Sequence, residues 1–274
     1  MDRNRIWILL GILLSIASAV GGQATTQPAP ADSFRAIVLA KGPLLLHLPG
    51  VGGYMGIDHH MIAGLRDAGI QANIVVYDWT EHHPGITALQ SYQRNHQEAQ
   101  RVAELIAEHE EIDPGSPVYL TAHSGGCGIA AWALEKLPAN VKVQTVLLMA
   151  PALSPKYDLS AALRHVNGKV YVFSSTLDTA VLNLGTRIFG TIDGVQTIAA
   201  GFCGFVQPAG ADNLMYQKLI ECPYQSDWIR YDDFGEHIGA MSRPFATAIL
   251  APLIGPVRAP TTQAADAVDS KPNS

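Results

Sequence analysis

Short apolar runs alternate with longer amphipathic stretches along most of the chain, and nothing else in the sequence narrows the fold so far. Pro43 to Leu48, Ala72 to Tyr77, Val118 to Ala122, Val143 to Ala150 and Lys169 to Ser174 are compact runs of strand length. Between them, Asp58 to Gly69, Leu89 to His109, Gly126 to Leu137 and Ser160 to Val166 read as helices. Met61, Ile62 and Leu65 share one face of the first helix, and Gly69 is its stop. Val102, Leu105 and Ile106 form one stripe of the second. Trp228 to Tyr231 reads as the last strand and Met241 to Leu253 as the last helix. Strands that are apolar on both faces and separated by helices predict an α/β fold, a mostly parallel sheet with helices on both faces. In such sheets, sites form beyond the carboxyl ends of the strands.

Composition supports a core. Hydrophobic residues make up 48% of the 274 and charged residues 15%, which excludes a wholly disordered chain. Lys and Arg total 18 against 24 Asp and Glu, a formal charge of -6. That balance gives no footprint for nucleic acid and no strong field for polyanions. Three Cys do not make a disulfide framework, and no spacing resembles a structural zinc site. Cys203 and Cys222 either pair in an oxidising compartment or stay free, and Cys127 reads as a small buried residue.

The ends differ from the middle. Arg3 and Arg5 precede an apolar run from Ile6 to Val20, and Ala17-Ser18-Ala19 offers the small residues a signal peptidase reads. Residues 1–19 therefore read as a signal peptide, giving a secreted or periplasmic protein. The alternative is an uncleaved membrane anchor, although the run falls short of the roughly 18 to 20 residues that span a bilayer. Residues 20–33 read as a flexible linker, 34–258 as the folded domain and 259–274 as a disordered tail. Oligomeric state is not legible.

The sharpest local feature is Thr121-Ala122-His123-Ser124-Gly125-Gly126, at the junction of an expected strand and an expected helix. A Ser on such a tight turn projects from the top of the sheet, and the crowded turn needs small neighbours. Ala122 and Gly126 occupy the small positions of G-x-S-x-G, with Ala in the first. The helix N-terminus directs free N–H groups at the Ser, and the Gly125 N–H can face an oxyanion. On these residues the chain resembles the α/β-hydrolase superfamily, its serine esterases and lipases in particular. The resemblance covers about Pro43 to Leu253.

The resemblance implies the chain order Ser, acid, His. Of ten His residues only His165 and His237 follow Ser124. His165 comes before the strand whose end should carry the acid. His237, in Gly235-Glu236-His237-Ile238-Gly239, stands where the superfamily places its base. Asp178 follows the strand ending at Ser174 and fits the acid, with Asp193, Asp212, Asp232 and Asp233 as rivals. The second oxyanion donor should come from His47-Leu48-Pro49-Gly50-Val51-Gly52-Gly53. Pro49 has no N–H, which leaves Val51 or Gly52.

Several features weigh less. His59-His60 and His82-His83 invite a metal reading, but adjacent helical side chains point about 100° apart. His82, His83 and Trp79 could line the mouth of a site, or Trp79 could be a packed aromatic. The long stretch from Thr179 to Asp227 either covers the sheet end and shapes an acyl pocket or is ordinary core. Little room remains between Ala150 and Ser160, so an open, minimal-lid site is expected. It would suit short or polymeric esters.

The expectation is an exported serine hydrolase cleaving carboxylic esters through an acyl-enzyme, with Ser124, Asp178 and His237 catalytic and Gly125 with Val51 or Gly52 as oxyanion hole. No cofactor or metal is implied: there is no G-x-G-x-x-G after a strand and no P-loop. Alternatives are an acyltransferase or peptidase on the same residues, or a catalytically silent surface binding protein on this fold.

Overall fold

The computed structural model describes residues 31–80 and 83–255. The expected signal peptide, the tail and His82 lie outside the described residues. The described residues begin with helix α1 (Ala31–Val38), which starts inside the segment expected to be linker. Arg35 holds it to the body through two hydrogen bonds to Glu108, and His109 Nδ1 bonds the Val38 carbonyl at 2.8 Å.

Six strands follow: β1 (Leu44–Leu48), β2 (Asn73–Val76), β3 (Val118–His123), β4 (Thr145–Met149), β5 (Val170–Ser174) and β6 (Leu219–Pro223). They form one all-parallel sheet in the order β2-β1-β3-β4-β5-β6. Alternation along the strands divides the core in two. Leu44, Leu46, Leu48, Leu120, Ala122, Val146 and Leu148 pack beneath one set of helices. This set includes α3 (Ile86–Gln90), α4 (Tyr92–Ile112), α5 (Gly126–Lys136) and α6 (Ser160–Arg164). Leu45, Tyr119, Leu147, Met149 and Phe173 pack on the other face, against α2 (Gly56–Asp67) and residues 241–254. Helices on both faces explain why the strands are apolar throughout.

Two expectations at the C-terminal side fail. The last strand is Leu219–Pro223, not Trp228 to Tyr231, which lies in a 3-10 helix (Ser226–Tyr231). Trp228 is apolar for packing: its ring meets Phe173, Phe245 and Tyr224. The true strand is an edge strand carrying Glu221, so its pattern is weaker than that of the central strands. The expected continuous helix from Met241 to Leu253 is broken into a 3-10 turn (Gly239–Met241), a short α-helix (Arg243–Phe245), a π-turn (Ala246–Leu250) and a last helix (Ala251–Ile254). Pro244 and Pro252 lack the N–H that a regular ladder needs, so each sits at a first turn.

The long connection after β5 contains a π-turn (Thr179–Gly185), α7 (Thr186–Phe189), α8 (Ala200–Cys203) and α9 (Asn213–Tyr216). Cys127, Cys203 and Cys222 are all free thiols. No helix among the described residues is long and apolar enough to cross a membrane.

Candidate active site

Ser124 links β3 to α5 and adopts φ 51, a left-handed conformation that an L residue rarely takes. The turn is fixed on both sides. Ser124 N–H donates to the Met149 carbonyl, and the Ser124 carbonyl accepts from Cys127 and Ala152. The small neighbours have a visible cause. A Cβ on Gly126 would collide with the carbonyl oxygens of Leu48 and Pro49. Helix α5 therefore abuts the loop that follows β1. No side chain caps α5: its Cys127 and Gly128 N–H groups bond the Ser124 and Gly125 carbonyls instead.

The structure brings Ser124, His237 and Asp178 into one hydrogen-bonded chain. Asp178 stands four residues past β5 and accepts from His237 Nδ1 at 2.6 Å. A carboxylate only accepts, so Nδ1 carries the proton, and Nε2 receives the Ser124 hydroxyl at 3.0 Å. The other Asp178 oxygen accepts the Leu182 N–H and starts the π-turn. Ser124 is 5% exposed, and the Asp178 side chain 3%. Three of the rival carboxylates are otherwise engaged, and Asp232 is exposed. Asp193 bonds the N–H and hydroxyl of Ser154, and Asp212 caps α9. Asp233 is buried and accepts from the Gly235 N–H.

The loop after β1 lies against the nucleophile turn. A Cβ on Gly50 would stand 3.3 Å from Ser124 Cβ and 3.1 Å from His123 Nδ1. One on Gly125 would stand 2.6 Å from Val51 Cγ1, whereas one on Gly52 would meet Met55 alone. The loop's carbonyls are turned away by named donors. The Pro49 carbonyl accepts from Trp79 Nε1 at 2.7 Å, the Gly50 carbonyl from Gly53 N–H at 3.0 Å and the Val51 carbonyl from Gly85 N–H at 2.6 Å. In a trans peptide the N–H points opposite its carbonyl. The Val51 N–H thus points away from the Gly50–Gly53 turn.

A buried support sits under that loop, and the sequence reading missed it. His47 and Asp58 are both fully buried, with Nε2 to Oδ1 at 2.9 Å. His47 Nδ1 meets Thr121 Oγ1 at 3.0 Å, across the β1–β3 register. Asp58 also accepts the Met55 N–H at 2.7 Å, and Asp78 accepts the Tyr54 N–H at 3.0 Å. The loop is thereby tied at both ends. The missed signal was a His at the end of an otherwise apolar strand. Trp79 is fully buried beneath the loop rather than lining a mouth, and His83 is exposed.

His123 was also passed over. It precedes Ser124, is 3% exposed, and its Nε2 donates to the His237 backbone carbonyl at 3.0 Å. Its Nδ1 is buried with no partner among the described residues. Burial, and secondarily the His237 ring, hold its pKa down to about 4. Burial pushes the Asp233 carboxyl up to about 6. Among the described residues no group of three His, Cys, Asp or Glu side chains is placed to hold a metal ion.

An all-parallel sheet covered on both faces, with a strained Ser between strand and helix and an acid and a His on later loops, is the α/β-hydrolase fold. Comparison with solved structures returns Aspergillus fumigatus lipase B at 17% identity and TM-score 0.47, covering 86% of this chain and 63% of that one. It also returns a Xanthomonas campestris protein assigned to the alpha/beta hydrolase superfamily, at 18% identity, TM-score 0.41, and coverage of 75% and 96%. A third is the NocB thioesterase domain in covalent complex with a fluorophosphonate nocardicin G analogue, at 15% identity, TM-score 0.39, and coverage of 79% and 96%. No family model and no curated protein matches the chain.

Proposed function

We propose that the protein is a serine hydrolase that cleaves carboxylic esters through an acyl-enzyme, with Ser124, His237 and Asp178 as its catalytic triad. The carrying observation is the continuous chain from Asp178 Oδ2 to His237 Nδ1 and from His237 Nε2 to Ser124 Oγ, at 2.6 and 3.0 Å. Ser124 Oγ attacks the ester carbonyl while His237 Nε2 takes its proton. Asp178 keeps the proton on Nδ1 and stabilises the imidazolium. His237 then protonates the leaving alcohol. A water, deprotonated by the same nitrogen, releases the acid.

The oxyanion is received by the Gly125 N–H at the start of α5 and by the Val51 N–H. Val51 is preferred to Gly52 because Gly50 abuts Ser124 Cβ and Val51 abuts Gly125. The apolar run Ile6 to Val20 supports export, which would place the enzyme among extracellular or periplasmic esters.

Turnover of p-nitrophenyl butyrate by wild type and by Asp178→Asn tests the reading. An Asn at 178 favours the wrong His237 tautomer, so kcat should fall by roughly 10³ to 10⁴. A variant that keeps wild-type kcat would refute the assigned role of Asp178.

A further inference from the structure

Trp79 touches both halves of the proposed oxyanion hole. It follows β2, is fully buried, and its Nε1–H donates to the Pro49 carbonyl at 2.7 Å. The edge of the same ring reaches the nucleophile turn, where Trp79 Cζ2 would stand 3.4 Å from a Cβ on Gly125. We infer that Trp79 is a positioning residue that presets the oxyanion hole, acting through the Val51 and Gly125 N–H groups; the inference rests on the serine hydrolase reading and its two donors.

The backbone of the loop needs such a hold. The proline ring fixes φ at Pro49 but leaves ψ free, and Gly50 has no side chain to restrict either angle. Unless it is held, the peptide between Gly50 and Val51 can turn over and carry the Val51 N–H away from Ser124. Three successive carbonyls resist that rotation. Those of Gly50 and Val51 accept from the backbone N–H groups of Gly53 and Gly85. That of Pro49, a buried residue, accepts from the Trp79 side chain. The ring is fixed in turn: Arg94 Cζ stands 6.0 Å from its centroid, and Arg94 Nη1 donates to the Thr80 carbonyl at 3.2 Å. A Phe would fill the apolar space under the loop, but among Phe, Tyr and Trp only Trp carries a ring N–H. Without it the Pro49 carbonyl is left buried and unpaired, and the loop relaxes to find it a partner.

Two replacements remove that donor. Trp79→Phe keeps an aromatic ring, and β-(3-benzothienyl)alanine installed at position 79 keeps the bicyclic shape and loses the N–H alone. Each protein is assayed for turnover of p-nitrophenyl butyrate, for the fraction labelled by a fluorophosphonate, and for inhibition by an aryl trifluoromethyl ketone. Ser124 Oγ adds to the carbonyl carbon of that ketone, His237 Nε2 takes the hydroxyl proton, and the ketone oxygen becomes an oxyanion in the hole. Both replacements should lower kcat about tenfold or more, with KM moved by less than about twofold. The Ki of the ketone should rise by a similar factor, and the labelled fraction should stay at that of wild type. Wild-type kcat in the benzothienyl protein overturns the inference. So does a fall in kcat with an unmoved Ki, including one that only follows a smaller labelled fraction, since the ring would then serve stability alone. A wild type that is neither labelled nor active overturns the serine hydrolase reading and this inference with it. A labelled, active wild type beside indifferent replacements overturns this inference alone.

Discussion

His123 Nε2 donates to the backbone carbonyl of His237 at 3.0 Å, so the residue before the proposed nucleophile holds the loop of the proposed base. The two rings stand 4.9 Å apart. The His237 ring itself bonds Asp178 and Ser124. His123→Ala removes the donor and should lower kcat about fivefold, the worth of one hydrogen bond of about 1 kcal/mol, with KM little changed. His123→Gln carries an N–H at similar reach and should restore part of kcat. Steady-state kinetics on p-nitrophenyl butyrate separate the two variants, and equal loss in both would argue against a positioning role.

Two buried groups near the site give opposite pH dependences. His123, held down to about 4, resists protonation in the folded state. The unfolded chain takes up that proton near pH 6.5, so this group costs stability as pH falls from 6.5 toward 4. The full cost is on the order of 3 kcal/mol. Asp233, pushed up to about 6, resists ionisation in the folded state. Its cost appears as pH rises from about 4 to 6. Relative to wild type, His123→Gln should therefore gain Tm as pH falls through this window, and Asp233→Asn should gain Tm as pH rises. Thermal melts at pH 4.5, 5.5 and 7 check the two slopes, and slopes of the same sign would refute the account.

Asp58 secures the loop that contributes Val51. It is fully buried, bonds His47 and accepts the Met55 N–H. Asp58→Ala strands His47 and frees the loop end. Leaving the buried His47 ring N–H without its acceptor costs about 1 to 3 kcal/mol. Denaturant unfolding should register that loss. Asp58→Asn keeps an acceptor for Met55 and should lose less.

The glycines near Ser124 are not equivalent. Gly126→Ala drives a methyl group into the Leu48 and Pro49 carbonyl oxygens, which are backbone and cannot step aside. The helix must shift, and both stability and turnover should fall. Gly52→Ala meets only the flexible end of Met55 and should be nearly neutral. Melting temperatures and turnover of the two variants decide this, and equal effects would contradict the packing described.

The central strands were legible because their burial on both faces leaves an unbroken apolar run, as in Val118–His123 and Thr145–Met149. The edge strand Leu219–Pro223 was not, since it is only partly buried and carries Glu221. Trp228 and Tyr231 mimicked a strand because aromatic residues also serve to pack a 3-10 turn. At the site, Ser124, Asp178 and His237 were legible from residue type, chain order and position relative to strands. His123, His47 and Asp58 were not, because their roles depend on contacts across 114, 74 and 11 positions that no local pattern encodes.

The central claim is that Ser124 is an activated nucleophile. Wild type and Ser124→Ala should be incubated with a fluorophosphonate and examined by intact mass and peptide mapping. The account predicts one adduct on Ser124 in wild type and none in the variant, with both proteins folded. A folded wild type that stays unlabelled, or carries its adduct on another residue, would contradict it.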